Sequence, residues 1–205
     1  VTNPISATIS LGGFVDFAAA TASGRITAVH NVIDNEFGDY NPGHDFYRGI
    51  RLAIREGIAN GDDVSRMQRA VQDCSPRRRA SYESLATGWA GWRRRKDLEV
   101  FSQPLRWRDG ALEVRVSPKF TWQQRHEKHL VWPYFKDPEL SRDGVQAAIR
   151  LIEITFPESG CRPAVLDVRR QRIYQPARRR RGFDAWLSGE AAAFVSMLDS
   201  IRNVA

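Results

Sequence analysis

The hydrophobic rhythm of the chain changes at Glu99, and that change constrains the fold more than any other feature of the sequence. Before it, apolar residues recur at three and four residue steps, as on one face of a helix; after it they alternate, as in a half-buried strand. Asp45 can cap a helix whose Phe46, Ile50, Ala53, Ile54 and Ile58 share a face, ending near Asn60 and Gly61. Val64, Met67, Gln68 and Val71 predict a second helix over 62–74, and Tyr82, Leu85, Ala86 and Trp89 a third over 81–92. Ser75 and Pro76, with Arg77 to Arg79, interrupt the pattern, because a proline pushes the residue before it out of the helical region. Beyond Glu99, residues 100–107 and 111–117 read as strands joined at Asp109 and Gly110, the strongest hairpin signal in the chain.

A third strand is expected over 129–135, with Pro133 arguing for an edge or bulged position there. The polar stretch Gln123 to Lys128 before it reads as a turn. Ser141, with Asp143 in the first turn, opens a helix through Phe156. Residues 164–167 read as a buried strand with a return over Arg169 to Gln171, and a last helix runs from Phe183 to Ile201. Ahead of all this, residues 5–33 suggest a short strand, a helix near Phe14 to Ala20 and a strand at Arg25 to Val29. Asp34 to His44 has loop composition. The expected fold class is α/β, with α+β as the alternative, in one domain spanning 1–205. A helical N-terminal part, 1–97, precedes a strand-rich basic core, 98–205, with a small mixed sheet flanked by helices.

Charge is divided as unevenly as the rhythm. Residues 1–73 carry a net charge of −3 and residues 74–205 one of +10. The excess sits in runs: Arg77 to Arg79; Arg93, Arg94, Arg95 and Lys96; Arg169, Arg170 and Arg172; and Arg178, Arg179, Arg180 and Arg181. Blocks of like charge near aromatic residues are a footprint of nucleic-acid binding. Trp89 and Trp92 beside the second run suit stacking on bases, although tryptophan at helical spacing more often belongs to a core helix with a solvated basic end. Of the 31 basic residues 27 are Arg, which a GC-rich genome also produces without phosphate contacts.

Several chemistries lack their residues. No G-x-x-x-x-G-K-[ST] loop is present, Gly12 and Gly13 do not supply G-x-G-x-x-G, and no G-x-S-x-G elbow occurs. Cys74 and Cys161 are too far apart in sequence for a C-x-x-C pair and read as free thiols. His126 and His129 have a spacing that suits metal only on a helix, and no metal site is assigned there. No stretch approaches the about 20 apolar residues of a membrane span, and no signal pattern follows Val1, so a cytoplasmic location is expected.

The order helix, three strands, helix, strand resembles the core of the PD-(D/E)XK nuclease superfamily. That resemblance implies an acid on the second strand and an E-x-K on the third, where carboxylates hold a divalent metal that activates water. Lys136 falls at the family's lysine, but Tyr134 stands where its acid is expected, and the second strand offers Glu113 in an E-x-R pattern. Gln146 with Arg150 resembles the Q-x-x-x-Y of the exonuclease branch, and Glu56 falls where that branch has an acidic helix residue. The resemblance thus names Lys136, Glu113, Glu56 and Gln146 as catalytic candidates. Asp109 joins them only if it is not simply the hairpin residue. Asp167 is read first as a turn residue.

The segments Ser117 to Phe120, Tyr134 to Ser141 and Ala164 to Arg170 also resemble a bacterial family of uncharacterised proteins, which brings no activity with it. The leading expectation is a nucleic-acid-associated protein with a nuclease-like, catalytically degenerate core and no cofactor. The alternatives are a metal-dependent nuclease using Mg or Mn, and a protein-interaction component, a homo-oligomer included, that uses its six tryptophans as interface anchors.

Overall fold

Polar residues just ahead of apolar runs decide where the helices begin. The computed structural model describes residues 7–37, 45–178 and 180–204. Ser10 ends strand β1 (Ala7–Ser10) and its hydroxyl accepts the Gly13 N–H, so helix α1 (Leu11–Ala19) starts at once. Helix α2 (Ala22–Val32) runs on into one π-helical turn, Ile33–Phe37. Helices α3 (Arg48–Asn60), α4 (Asp63–Asp73) and α5 (Pro76–Arg93) follow, with Pro76 at the start of α5, where its missing N–H has no partner to lose.

The strands then come in series: β2 (Asp97–Val100), β3 (Leu105–Asp109), β4 (Leu112–Val116), β5 (Phe120–Gln124) and β6 (Glu127–Tyr134). Helix α6 (Arg142–Thr155) begins at Ser141, whose hydroxyl accepts the Gly144 N–H, and leads to β7 (Arg162–Asp167), β8 (Arg172–Tyr174) and α7 (Phe183–Val204). The fold is mixed α and β, with a helical N-terminal part. Among the described residues no helix is long and apolar enough to cross a membrane.

Two mixed sheets form where one was expected. One has the order β1-β4-β3, the other β2-β5-β6-β7-β8. Strands β2, β5 and β6 are successively antiparallel, α6 crosses over, and β7 returns parallel to β6. Strand alternation divides the core into two clusters: Leu130 and Val165 face α1, α6 and α7, while Val131, Ala164 and Leu166 face α3 and α5. Helix α5 lies close against the end of β7, because a Cβ at Gly88 would overlap the Val168 carbonyl. Gly110, at φ 54°, turns the β3–β4 hairpin in the left-handed region that its sequence signal required.

The departures from the sequence reading have physical causes. Arg25 to Val29 is helical: Ala28, Val29 and Val32 pack inward at helical spacing, and that burial overrides the β preference of Ile26, Thr27 and Val29. The strand expected over 100–107 is two strands in two sheets, separated at 101–104, where Pro104 lacks an N–H for a ladder. Strand β5 was not expected; only Arg125 and His126 form the turn, with Arg125 at φ 54°, and Gln123 and Gln124 belong to the ladder. Arg77 to Arg79 lie in the first turn of α5 instead of a linker. Asp45 does not cap α3 with its side chain; its carboxylate pairs with Arg51, and its carbonyl accepts the Arg48 N–H. Of the expected loop 34–44, residues 34–37 are π-helical and 38–44 lie outside the described residues.

Pro133 sits in β6, an interior strand, yet breaks no ladder. The Val131 carbonyl accepts from Lys119, so the main-chain groups of Val131 and, two residues on, Pro133 face β5. β5 begins only at Phe120, opposite Val131, so no β5 partner is left wanting at Pro133.

Candidate nucleic-acid interface

Because β6 and β7 run parallel, their carboxyl ends lie side by side, with Tyr134 paired to Asp167. β5 runs against them, so its first residues return to the same end of the sheet. Ligands of α/β sheets bind at that end of parallel strands, where chain connections leave a crevice.

Lys119 occupies this end, and its backbone is held on both sides: its N–H donates to Val131 and its carbonyl accepts from Phe101. Its half-buried ammonium donates to the Ser117 hydroxyl. Burial, then the nearby Arg51, Arg115 and Arg55, push its pKa down to about 8. Arg51 pairs with Asp45, and Arg55 lies 4.0 Å from Glu56. Among the described residues neither Lys119 nor Arg115 has a carboxylate partner. Four cations thus gather where two lack counter-charge.

The cluster continues on both sides. On α3, Arg48, Arg51 and Arg55 stand at i, i+3 and i+7, one stripe of the helix. On the open face of the three-stranded sheet, Arg115 pairs across the ladder with Arg106, while Glu113 faces Arg108 and also lies 3.1 Å from Arg106. The charges of Arg51 and Arg55 on α3 and of Arg115 on β4 all reach Lys119, which links helix stripe and sheet face as a basic belt.

A second group of charges at the same end is internally neutralised. Lys136 pairs with Asp16 of α1, whose pKa is raised because burial outweighs that ammonium. The Tyr134 hydroxyl donates to the Pro138 carbonyl at 2.7 Å, and its pKa is raised by burial, then by Asp16, Asp167 and Tyr47. Asp167 accepts the Arg170 N–H at 3.1 Å and its guanidinium at 3.0 Å, the turn role that sequence suggested.

The catalytic candidates are not brought together by any hydrogen bond or ion pair among the described residues. Glu113 is on β4, which belongs to the other sheet; the second strand of the five-stranded sheet is β5, and its Phe120, Thr121, Trp122, Gln123 and Gln124 include no carboxylate. Glu56 pairs with Arg66 of α4, Gln146 is half-buried on α6, and Asp109 accepts from Ser188 at 2.6 Å. Among the described residues no group of three or more His, Cys, Asp or Glu side chains is placed to hold a metal ion. His129 is not on a helix: it is buried in β6, stacked on Trp122 with ring centres 5.0 Å apart.

The expected basic runs divide between structural bonds and solvent. Arg93 bonds Asp63 at 2.8 Å, and Lys96 bonds the Trp92 carbonyl and lies over the rings of Trp92 and Trp122. The Arg169 side chain is only 8% exposed and bonds Phe135 and Ser81. Arg170 bonds Asp167 and the Asp137 carbonyl, and Arg172 bonds Glu139 at 2.6 Å. Arg94, Arg95, Arg178 and Arg181 are exposed without an ion pair among the described residues, Arg180 lies 4.0 Å from Asp143, and Arg179 lies outside the described residues. Trp89, Trp92 and Trp122 are buried, and Trp107, Trp132 and Trp186 are partly buried and pack against the core.

Sequence reading passed over Lys119, Arg115 and the α3 stripe. The signal was there in the spacing of Arg48, Arg51 and Arg55 on the clearest amphipathic helix, beside the apolar face and Glu56. Compared with family models, curated proteins and solved structures, the chain matches none of them.

Proposed function

We propose that this is a nucleic-acid-associated protein that grips the phosphate backbone along the basic belt, on a nuclease-like core that has lost its metal-holding carboxylates. The observation that carries the reading is the gathering of Lys119, Arg115, Arg51 and Arg55 at the carboxyl end of the β6–β7 pair. Cations with too few counter-charges suit a polyanion, since each neutralised phosphate releases condensed counterions.

The likeness to the PD-(D/E)XK core is supported by the order within the five-stranded sheet: α5, then β2, β5 and β6 antiparallel, α6, and β7 parallel to β6. The metal such enzymes use does not fit the residues present here. β5 carries no carboxylate, Tyr134 replaces the acid two residues before Lys136, and Asp16, the acid nearest Lys136, is taken by it. Backbone binding needs none of these groups.

The test is incubation of the purified protein with labelled single- and double-stranded DNA and RNA, with and without Mn²⁺, followed by gel analysis. Shifted but intact nucleic acid, with or without metal, is the expected result. Shortened products that require metal would overturn the noncatalytic reading, and no shift with any of the four would overturn binding.

A further inference from the structure

We infer that the outer face of the β3–β4 hairpin lies in the major groove of B-form DNA, where Arg106, Arg108 and Arg115 read guanine. The inference rests on the nucleic-acid reading above and narrows it to duplex DNA containing G·C pairs.

Strand register assembles this face. Leu112 and Val114 of β4, Ala7 and Ile9 of β1 and Trp107 of β3 pack into the core, so the residues that alternate with them point outward. They form two rows across the sheet: Thr8, Glu113 and Arg108 in one, Ser10, Arg115 and Arg106 in the other. Thr8 and the three arginines are exposed, the side chains of Arg106 and Arg108 by 64% and 51%. Three guanidinium groups against one carboxylate make the face positive, as a polyanion requires.

Glu113 fixes how two of these arginines stand. Its side chain, only 10% exposed, accepts from Arg106 and from the Thr8 hydroxyl, each at 3.1 Å, and lies 3.8 Å from Arg108. A surface that only gripped phosphates would gain nothing from an acid in its midst, because the acid cancels attraction. A guanidinium that meets O6 and N7 of one guanine does gain, since bidentate pairing needs a fork held in one orientation. Shape points the same way. The arginines and Glu113 all belong to one two-stranded hairpin, turned tightly at Gly110, with β3 at the edge of its sheet. The major groove of B-DNA, about 12 Å wide, admits such a ribbon. The deep, narrow major groove of A-form RNA is closed to side chains.

The test measures binding, at one salt concentration, to four duplexes of equal length: G·C DNA, the same DNA with 7-deazaguanine, which lacks N7, A·T DNA, and RNA of the G·C sequence. The expected result is about tenfold tighter binding of the G·C DNA than of the other three. Arg106→Lys, which keeps the charge and loses the fork, should reduce that preference while A·T affinity persists. Glu113→Gln should raise A·T affinity by removing an acid, yet lower the G·C preference by releasing the forks. A merely structural role for Glu113 would not produce that split. Equal affinities for the four duplexes, a G·C preference indifferent to 7-deazaguanine, or tightest binding of RNA would overturn the inference and leave nucleic-acid binding standing. Binding of none would overturn both.

Discussion

Arg106 on β3 and Arg115 on β4 stand directly opposite each other across an antiparallel ladder, and among the described residues only Arg106 of the two has a carboxylate, that of Glu113, within reach. Like charges in that position destabilise a sheet. A pair retained at such a cost fits a surface that meets an anion.

The Arg115→Gln variant therefore separates stability from binding. Its unfolding free energy in urea is expected to be unchanged or raised, by at most about 1 kcal/mol, the scale of one cross-strand pair, while its affinity for duplex DNA falls. A loss of stability together with unchanged affinity would give Arg115 a purely structural role.

Asp63 predicts the opposite pattern. Its buried carboxylate accepts from the Trp89 indole at 2.9 Å and from Arg93 at 2.8 Å, joining α4 to α5. Asp63→Ala is expected to cost about 3 kcal/mol in urea unfolding, since it strands a guanidinium and an indole N–H. Arg93→Ala should lower stability without altering the salt dependence of nucleic-acid binding.

Lys119 predicts a pH effect of definite sign. Its pKa falls from 10.5 in the unfolded chain to about 8 in the fold, so the stability it contributes is present above pH 10.5 and lost as pH falls through 8. Compared with Lys119→Met, the wild type should lose stability between those values as the solution is made less basic. Parallel unfolding free energies across that range would contradict the burial of the Lys119 ammonium beside guanidinium groups.

His129 is buried with neither ring nitrogen hydrogen-bonded among the described residues, and burial holds its pKa below the usual imidazole value. Replacing it by Phe keeps the stacking on Trp122 and removes two unsatisfied polar atoms. Thermal unfolding of His129→Phe is expected to occur at the same temperature or higher.

What the sequence disclosed depended on how local the signal was. α6 was readable because Ser141 caps it and Val145, Ala148, Ile149 and Ile152 share its face; the β3–β4 hairpin was readable because Asp109 and Gly110 can do little else. β5 was hidden because its outer residues, Gln123 and Gln124, look like a turn and its ladder partners lie on β2 and β6. The split of residues 100–107 between two sheets depended on pairings with β5 and β4 that no local pattern records. At the candidate site the signal was less local still. Runs such as Arg169 and Arg170 locate charge along the chain, yet these two guanidinium groups tie the β7–β8 turn to residues 135–137. The cations of the belt come singly, from α3, β4 and the residue before β5, and only folding gathers them.

The most direct test of the belt is the dependence of duplex affinity on salt, measured for the wild type and for the Arg115→Gln, Lys119→Gln double variant. The wild type should show log K falling linearly with log salt, and the double variant a slope shallower by about 2, close to one per phosphate contact removed. A flat wild-type line, or identical slopes in the two proteins, would contradict phosphate binding at this site.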